Sequence, residues 1–524
     1  MLEAIARRRW LAIAIAGFIP LLARLLLLGV LPIPRPAIQD EFSYLLAADT
    51  FAHGRLTNPT PAFPEHFETL QVILHPSYAS KYPPFSALVM AAGQKLTGHP
   101  WFGVWFSMGV LCAVLCWMLD GWFPPAWAFG ASLLAALNIG IVSYWTESYW
   151  GGTCAAIGGA LVVGAVPRLI ERPRARTAIA LAAGLAILAN TRPYEGLLLA
   201  APCLGWLAWA AFRRHAAASV LKNIALPAAL ALIPVFAWMG YYNWRVTGHA
   251  LEMPYVAHER QYGVVPPLLW QTSAPPPPAY SNDFLRNFWQ VSYRAEWQAE
   301  RNQFLKAHIA DLLKLGRFFL GWPLMLCMIF FARRLWRDPV AKKVLLLAAC
   351  FYAGAAFDAR LFPHYAAPAT ALAYILAACV LRSMPRYFVW SALVLTVLTT
   401  GLTLLTPENR YLFGQIDYHT RAEHAAVDAR LSGTPGPQLI LVRYGPRHDP
   451  WEELVYNGAD LDRARVVWAR SLGPNQDAAL LRHYPDRAIW LLTENGNLNL
   501  SPYLTDQQGA RLRYSPALPP SIPK

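Results

Sequence analysis

The chain is 524 residues long, 56% apolar and only 15% charged, which makes a membrane class the first to test. Its formal net charge of +14 would suggest nucleic acid in a soluble protein, but the Lys and Arg residues sit in short clusters between apolar segments. That pattern is a topology signal and excludes nucleic acid as the partner.

The seven cysteines fall within or beside apolar segments, without metal-ligand spacing or pairing in a loop, so neither a disulfide framework nor a zinc-cysteine site is expected. The N-terminus starts with a basic cluster, yet its apolar run is too long for a signal peptide and lacks a small-residue cleavage site. It predicts a retained first span at about 11–30. Further spans of bilayer length follow at about 101–119, 126–145, 152–170, 177–191, 196–212, 223–243, 317–333, 343–358, 365–381 and 387–405, about eleven in all.

With the N-terminus in the cytoplasm, basic clusters such as Arg7, Arg8 and Arg9, Arg172 to Arg176, Arg213 and Arg214, and Arg333, Arg334 and Arg337 lie inside. The short outer loops then keep only Arg192 and Arg360, as the positive-inside rule demands. Between the first two spans runs a long outer loop, 31–100. It holds two helices expected to lie at the membrane surface: 41–53, with Phe42, Leu45 and Leu46 on one face and Gly54 at its end, and 83–98. Counting 83–98 as a span would reverse every later loop. A second outer loop, 244–316, carries the proline run "APPPPAY".

After residue 405 the chain turns soluble in character. "RAEHAAVDARL" and "NQDAALLRHY" read as helices and "QLILVRY", "ARVVWAR" and "RAIWLLT" as strands, so 406–524 is expected to be a small extracytoplasmic α/β domain. It has no glycine-rich phosphate loop, and no internal repeat is evident in the chain. The fold class is thus an α-helical polytopic membrane protein, residues 1–405, with outer juxtamembrane helices and a C-terminal α/β domain.

Ionisable groups gather at one face of this layout. Asp40 and Glu41 open the helix at 41–53, and Glu147 stands between aromatics and glycines in "SYWTESYWGGT". A carboxylate at a membrane edge is costly unless it has a partner or a role. Lys81, Arg192 with Glu195, and Arg360, His364 and Tyr365 bring groups suited to a lipid-borne phosphate. Plainer readings exist for each. Asp40 is a good N-cap type, Glu147 a loop carboxylate, Lys81 a snorkelling cation, Arg192 a partner for Glu195 and His364 an interfacial histidine. Arg24, inside the first span, either snorkels or points at the site. The histidines lie mostly on the outer side because the polar loops do, which supports no metal site.

A first span followed by "QDE" in a long outer loop, then "KYPP" opening a surface helix, then an acidic residue after the third span, resembles the GT-C integral-membrane glycosyltransferases, in the branch of protein O-mannosyltransferases and lipid A aminoarabinose transferases. The likeness covers roughly the first 400 residues in layout and rests on short motifs. It implies that Asp40 is the catalytic base, that Glu41 and Glu147 are its acidic companions, and that Lys81 attends the donor phosphate. "FPHYAAP" resembles a late-span motif near the lipid-phosphate site, which adds Arg360, His364 and Tyr365. Phenylalanine after the prolines and the lack of a DxD motif depart from the family pattern. Nucleotide-sugar use does not carry over, no cofactor is assigned, and a divalent metal is left open.

The expected function is transfer of a sugar, hexosyl or pentosyl, from a polyprenyl-phosphate donor to a hydroxyl of a glycan, lipid or protein at the outer face of the cytoplasmic (inner) membrane. A base takes the acceptor proton and cations hold the departing phosphate, in one inverting displacement. Two rivals are a transporter of an envelope glycolipid, which would place ionisable groups near mid-span, and a noncatalytic scaffold, which would scatter them.

Overall fold

The structure is a computed structural model that describes residues 2–405 and 418–503 except 142, 274, 360, 450, 452 and 496. Among these, six helices are long and apolar enough to cross a membrane: Arg9–Gly29, Trp101–Leu119, Thr153–Glu171, Pro193–Arg214, Ala217–Thr247 and Phe304–Phe330. Shorter apolar helices at Pro125–Gly140, Ala175–Ala189, Ala367–Ser383 and Tyr387–Leu402, and the helix Pro339–Ala355, fall on the remaining expected spans. Leu111, Leu115, Ile139, Val162 and Tyr374 are wholly buried where these helices pack. Phe18, Leu230, Ile233, Phe330 and Leu398 point outward and exposed, as side chains that face lipid do.

The helix Phe304–Phe330 breaks at Gly321, whose φ of 68° suits glycine. Pro323 has no N–H to give the Phe319 carbonyl four residues back, and Asn138 Nδ2 donates to it instead at 2.8 Å. A polar side chain inside the bundle is thereby accounted for.

Both expected surface helices form, as Gln39–Ala52 and Phe85–Thr97, and they pack on each other. A Cβ on Gly93 would run into the backbone of Gly103 on the next helix, and a Cβ on Gly103 into the backbone of Val89 and Met90. The pair of glycines therefore fixes the loop helix against the bundle. Between the two helices, β1 (Val72–Ile73) and β2 (Ala79–Ser80) pair antiparallel.

The soluble region forms a four-stranded sheet from β3 (Gln438–Tyr444), β4 (Val466–Arg470), β5 (Ala488–Glu494) and β6 (Leu498–Pro502), in the order β4-β3-β5-β6. β3 runs parallel to β4 and β5, with the helix Pro474–His483 in one crossover. β6, which the apolar pattern did not single out, is an antiparallel edge strand with only Leu500 buried. The boundary expected at 405/406 and the chain from 504 onward lie outside the described residues.

This sheet region is docked on the first long loop. Phe42 stacks on Tyr456 with centroids 4.5 Å apart, Asp49 accepts a hydrogen bond from the Ala459 N–H at 2.8 Å, and Arg55 pairs with Asp460 at 2.8 Å. Tyr78 donates to the Asn457 carbonyl at 2.9 Å, and Phe67 packs among Leu439, Leu441 and Val467. The helix that carries Asp40 thus lies between the bundle and the sheet.

Candidate active site

Asp40 is the second residue of the helix Gln39–Ala52, and the N-cap is Ile38, so the capping role read for Asp40 is corrected. The carboxylate that serves the helix start is Glu41. Its Oε2 accepts from the Ala37 and Ile38 N–H groups at 2.7 and 3.3 Å, and its Oε1 accepts from the Tyr149 N–H at 3.0 Å. Wholly buried, Glu41 ties the helix start to the loop after residue 145.

Glu147 is engaged as well. Arg24, also wholly buried, donates to both of its oxygens, at 2.6 and 3.1 Å, and to the Leu31 and Pro32 carbonyls. The Arg24 guanidinium lies 4.9 Å from the Trp101 ring centroid. The ambiguous arginine of the first span is therefore the partner that makes a buried Glu147 tolerable, because removing one member of such a pair strands a charge. Glu41 and Glu147 hold the wall of the site together.

Asp40 is half-buried, and the Tyr82 hydroxyl donates to its Oδ1. Tyr82 stacks on Tyr44 at 4.3 Å. Burial pushes the Tyr44 hydroxyl up to about 12, with Arg192 pulling the other way and Asp40 and Glu195 adding to the rise. One ring thus feels both Asp40 and Arg192. Arg192 caps the helix Pro193–Arg214, lies 3.9 Å from Glu195 and stands 4.3 Å from the Tyr365 centroid.

Lys81 does not snorkel. Its side chain is only 6% exposed, its ammonium is 3.2 Å from Glu259 Oε1, and it lies over the rings of Tyr255 and Tyr82 at 4.6 and 5.6 Å. Burial alone would raise the Glu259 carboxyl, but Lys81 and then His258 outweigh it and hold it down at about 2. His258 is pushed down to about 4 by burial and by Lys81. A cavity of about 640 Å³, lined by Glu259, Val265, Pro266, Pro267 and Trp270, opens beside this pair.

His364 is buried with Nδ1 2.8 Å from the Tyr144 hydroxyl and its ring 4.4 Å from Tyr365. Burial, then Arg192 and Lys314, hold it neutral. Arg360 lies outside the described residues. Tyr82 joins Asp40 to Lys81, Tyr365 joins Arg192 to His364, and the two groups are near enough that Tyr44 feels both Asp40 and Arg192.

Tyr44, Tyr82, Tyr255, His258 and Glu259 escaped the sequence reading. Tyr82 sits inside the quoted "KYPP" and was within reach. Tyr255, His258 and Glu259, on the helix Pro254–Tyr262, look in sequence like any polar loop, and only the fold brings them to Lys81, Glu259 across 178 positions.

No protein-family model matches the chain, and no curated protein matches it either. Among solved structures it is similar to ArnT from Cupriavidus metallidurans in the apo state, with 15% identity, 92% of each chain covered and a TM-score of 0.51. It is also similar to ArnT from the same organism bound to undecaprenyl phosphate, with 14% identity, 92% of each chain covered and a TM-score of 0.48. The Archaeoglobus fulgidus oligosaccharyltransferase is 11% identical over 92% of this chain and 68% of its own, with a TM-score of 0.46. At such identities the likeness is one of fold: the chain has a fold similar to that of ArnT.

Proposed function

We propose that the chain is a membrane glycosyltransferase that moves a sugar from a polyprenyl phosphate to an acceptor hydroxyl at the extracytoplasmic face of the cytoplasmic membrane. The observation that carries this reading is the convergence of Asp40, Lys81, Arg192 and Tyr365 from four separate segments, at the end of the bundle where the two long loops meet. A glycolipid transporter would place its ionisable groups along the helices, and a scaffold has no need of such a cluster.

In the proposed reaction Asp40 takes the proton from the acceptor hydroxyl as that oxygen bonds to the anomeric carbon. The bond from that carbon to the phosphate oxygen breaks, its electron pair stays on the phosphate, and polyprenyl phosphate leaves. Lys81 and Arg192 offset the charge that develops there. One displacement inverts the anomeric centre. Tyr82 orients Asp40, while Glu41 and the Arg24–Glu147 pair keep the helix start in place. Cationic binding of a lipid phosphate agrees with the undecaprenyl phosphate found on ArnT.

The test is a panel of polyprenyl-phosphate sugars incubated with the purified protein and assayed for release of the lipid phosphate. One donor is expected to turn over, and Asp40→Asn is expected to lower that turnover roughly 100-fold or more with the fold intact. Because Ile38 is the N-cap, asparagine at position 40 loses only a favourable first-turn charge. Equal turnover in Asp40→Asn and the parent would remove Asp40 as the base.

A further inference from the structure

A second polar cluster lies apart from these residues. Glu300, near the end of the helix Arg294–Asn302, and His308 and Asp311, in the first turns of Phe304–Phe330, hold one ligand atom each within 4.8 Å of one another. His308 and Asp311 are 7% and 5% exposed. Asp311 Oδ2 and His308 Nδ1 are buried without a hydrogen-bond partner. Two unpartnered polar atoms on residues more than nine-tenths buried are costly unless something joins them.

The contacts around them prepare these atoms for a cation. His308 Nε2 bonds the Ala356 carbonyl, so the ring proton sits on Nε2 and the Nδ1 lone pair is left for a metal. Histidine ligands are commonly oriented by such a bond from the other nitrogen to a carbonyl. Asp311 Oδ1 accepts from Lys314 Nζ at 2.8 Å, which leaves Oδ2 for the ion. The Lys314 side chain is 45% exposed and has room to turn away.

We infer that Glu300, His308 and Asp311 bind a divalent zinc ion. One imidazole nitrogen with two carboxylates suits zinc better than the all-oxygen preference of calcium or magnesium, and three protein ligands leave the fourth position to water. Tetrahedral ligands about 2.1 Å from zinc stand roughly 3 to 4 Å apart, so the three side chains close by about an ångström on binding. The ion braces the end of the second long loop, which carries Glu259, against the start of Phe304–Phe330. Through Ala356 and the Tyr352 hydroxyl, which donates to the His308 carbonyl at 2.9 Å, it also braces the segment leading to His364. The assignment of the ion does not rest on the proposed glycosyl transfer.

The full chain in nanodiscs, stripped with a chelator, is titrated with zinc chloride against a chromophoric competitor. One tight equivalent is expected. Asp311→Asn and His308→Gln are each expected to weaken it at least about tenfold, whereas Asp40→Asn and His258→Gln retain it. No tight equivalent in the parent, or unchanged affinity in both ligand variants, overturns the assignment, as does loss of the ion with Asp40→Asn. Zinc X-ray absorption on the parent needs no variant to fold. It is expected to report one imidazole among oxygen neighbours, and two imidazoles or any sulfur would also overturn it.

Discussion

Lys81 brings a charge into a nearly closed environment, and in this state Glu259 answers it. A phosphate arriving at Lys81 must share the ammonium with that carboxylate or displace it. Glu259→Gln keeps the shape and removes the competitor. Polyprenyl phosphate, measured by displacement of a labelled analogue, is therefore expected to bind roughly tenfold tighter to Glu259→Gln and more weakly to Lys81→Ala. Weaker binding to Glu259→Gln would mean that Glu259 positions Lys81 rather than competing for it. At this scale the sequence singles out residues where charge is expensive: Asp40, Lys81 and Arg192 are candidates because ionisable groups at a membrane edge need a reason. It was unreadable where a pairing spans the chain. Nothing local in the sequence pairs Glu147 with Arg24, 123 positions away, which donates to both its oxygens.

The helix Pro254–Tyr262 links the second long loop to the site through two groups whose protonation is shifted in the same direction. His258 falls from 6.5 to about 4, so between those values the opened helix binds the proton more readily than the packed one. The packing it contributes is complete above pH 6.5 and is lost as pH falls toward 4. Glu259, lowered from 4.5 to about 2, adds a second window below 4.5 with the same sign. Hydrogen exchange across 254–262, corrected for intrinsic rates, is expected to lose protection from pH 6.5 downward. His258→Gln should flatten the limb above 4.5 and leave the lower one, and superimposable curves would rule the histidine out. The two surface helices of the first loop were legible as elements, since their apolar faces and the glycine after each are local signals. Pro254–Tyr262 was not, because a short polar helix held by a partly buried ion pair has no periodic pattern to betray it.

At the scale of the whole molecule, apolar runs of bilayer length exposed the bundle in sequence, and alternation of strand and helix exposed the sheet region. Neither signal carries the docking of one on the other, which rests on single contacts such as Phe42 with Tyr456 and Arg55 with Asp460. That docking bears on topology. If the sheet region packs on the loop that carries Asp40, the two must lie on one side of the membrane, and the turn at Arg172 to Arg174, at the far end of the helix Thr153–Glu171, must lie on the other. By the positive-inside rule the basic clusters predict a cytoplasmic turn there. Reporter fusions at His53, Arg174 and Gly433 separate the two arguments. The expected result is an extracytoplasmic signal at His53 and Gly433 and a cytoplasmic one at Arg174. Agreement of His53 with Gly433 but on the cytoplasmic side would keep the docking and reverse the charge reading. The acceptor would then have to come from the cytoplasm, and the proposed extracytoplasmic reaction would fall.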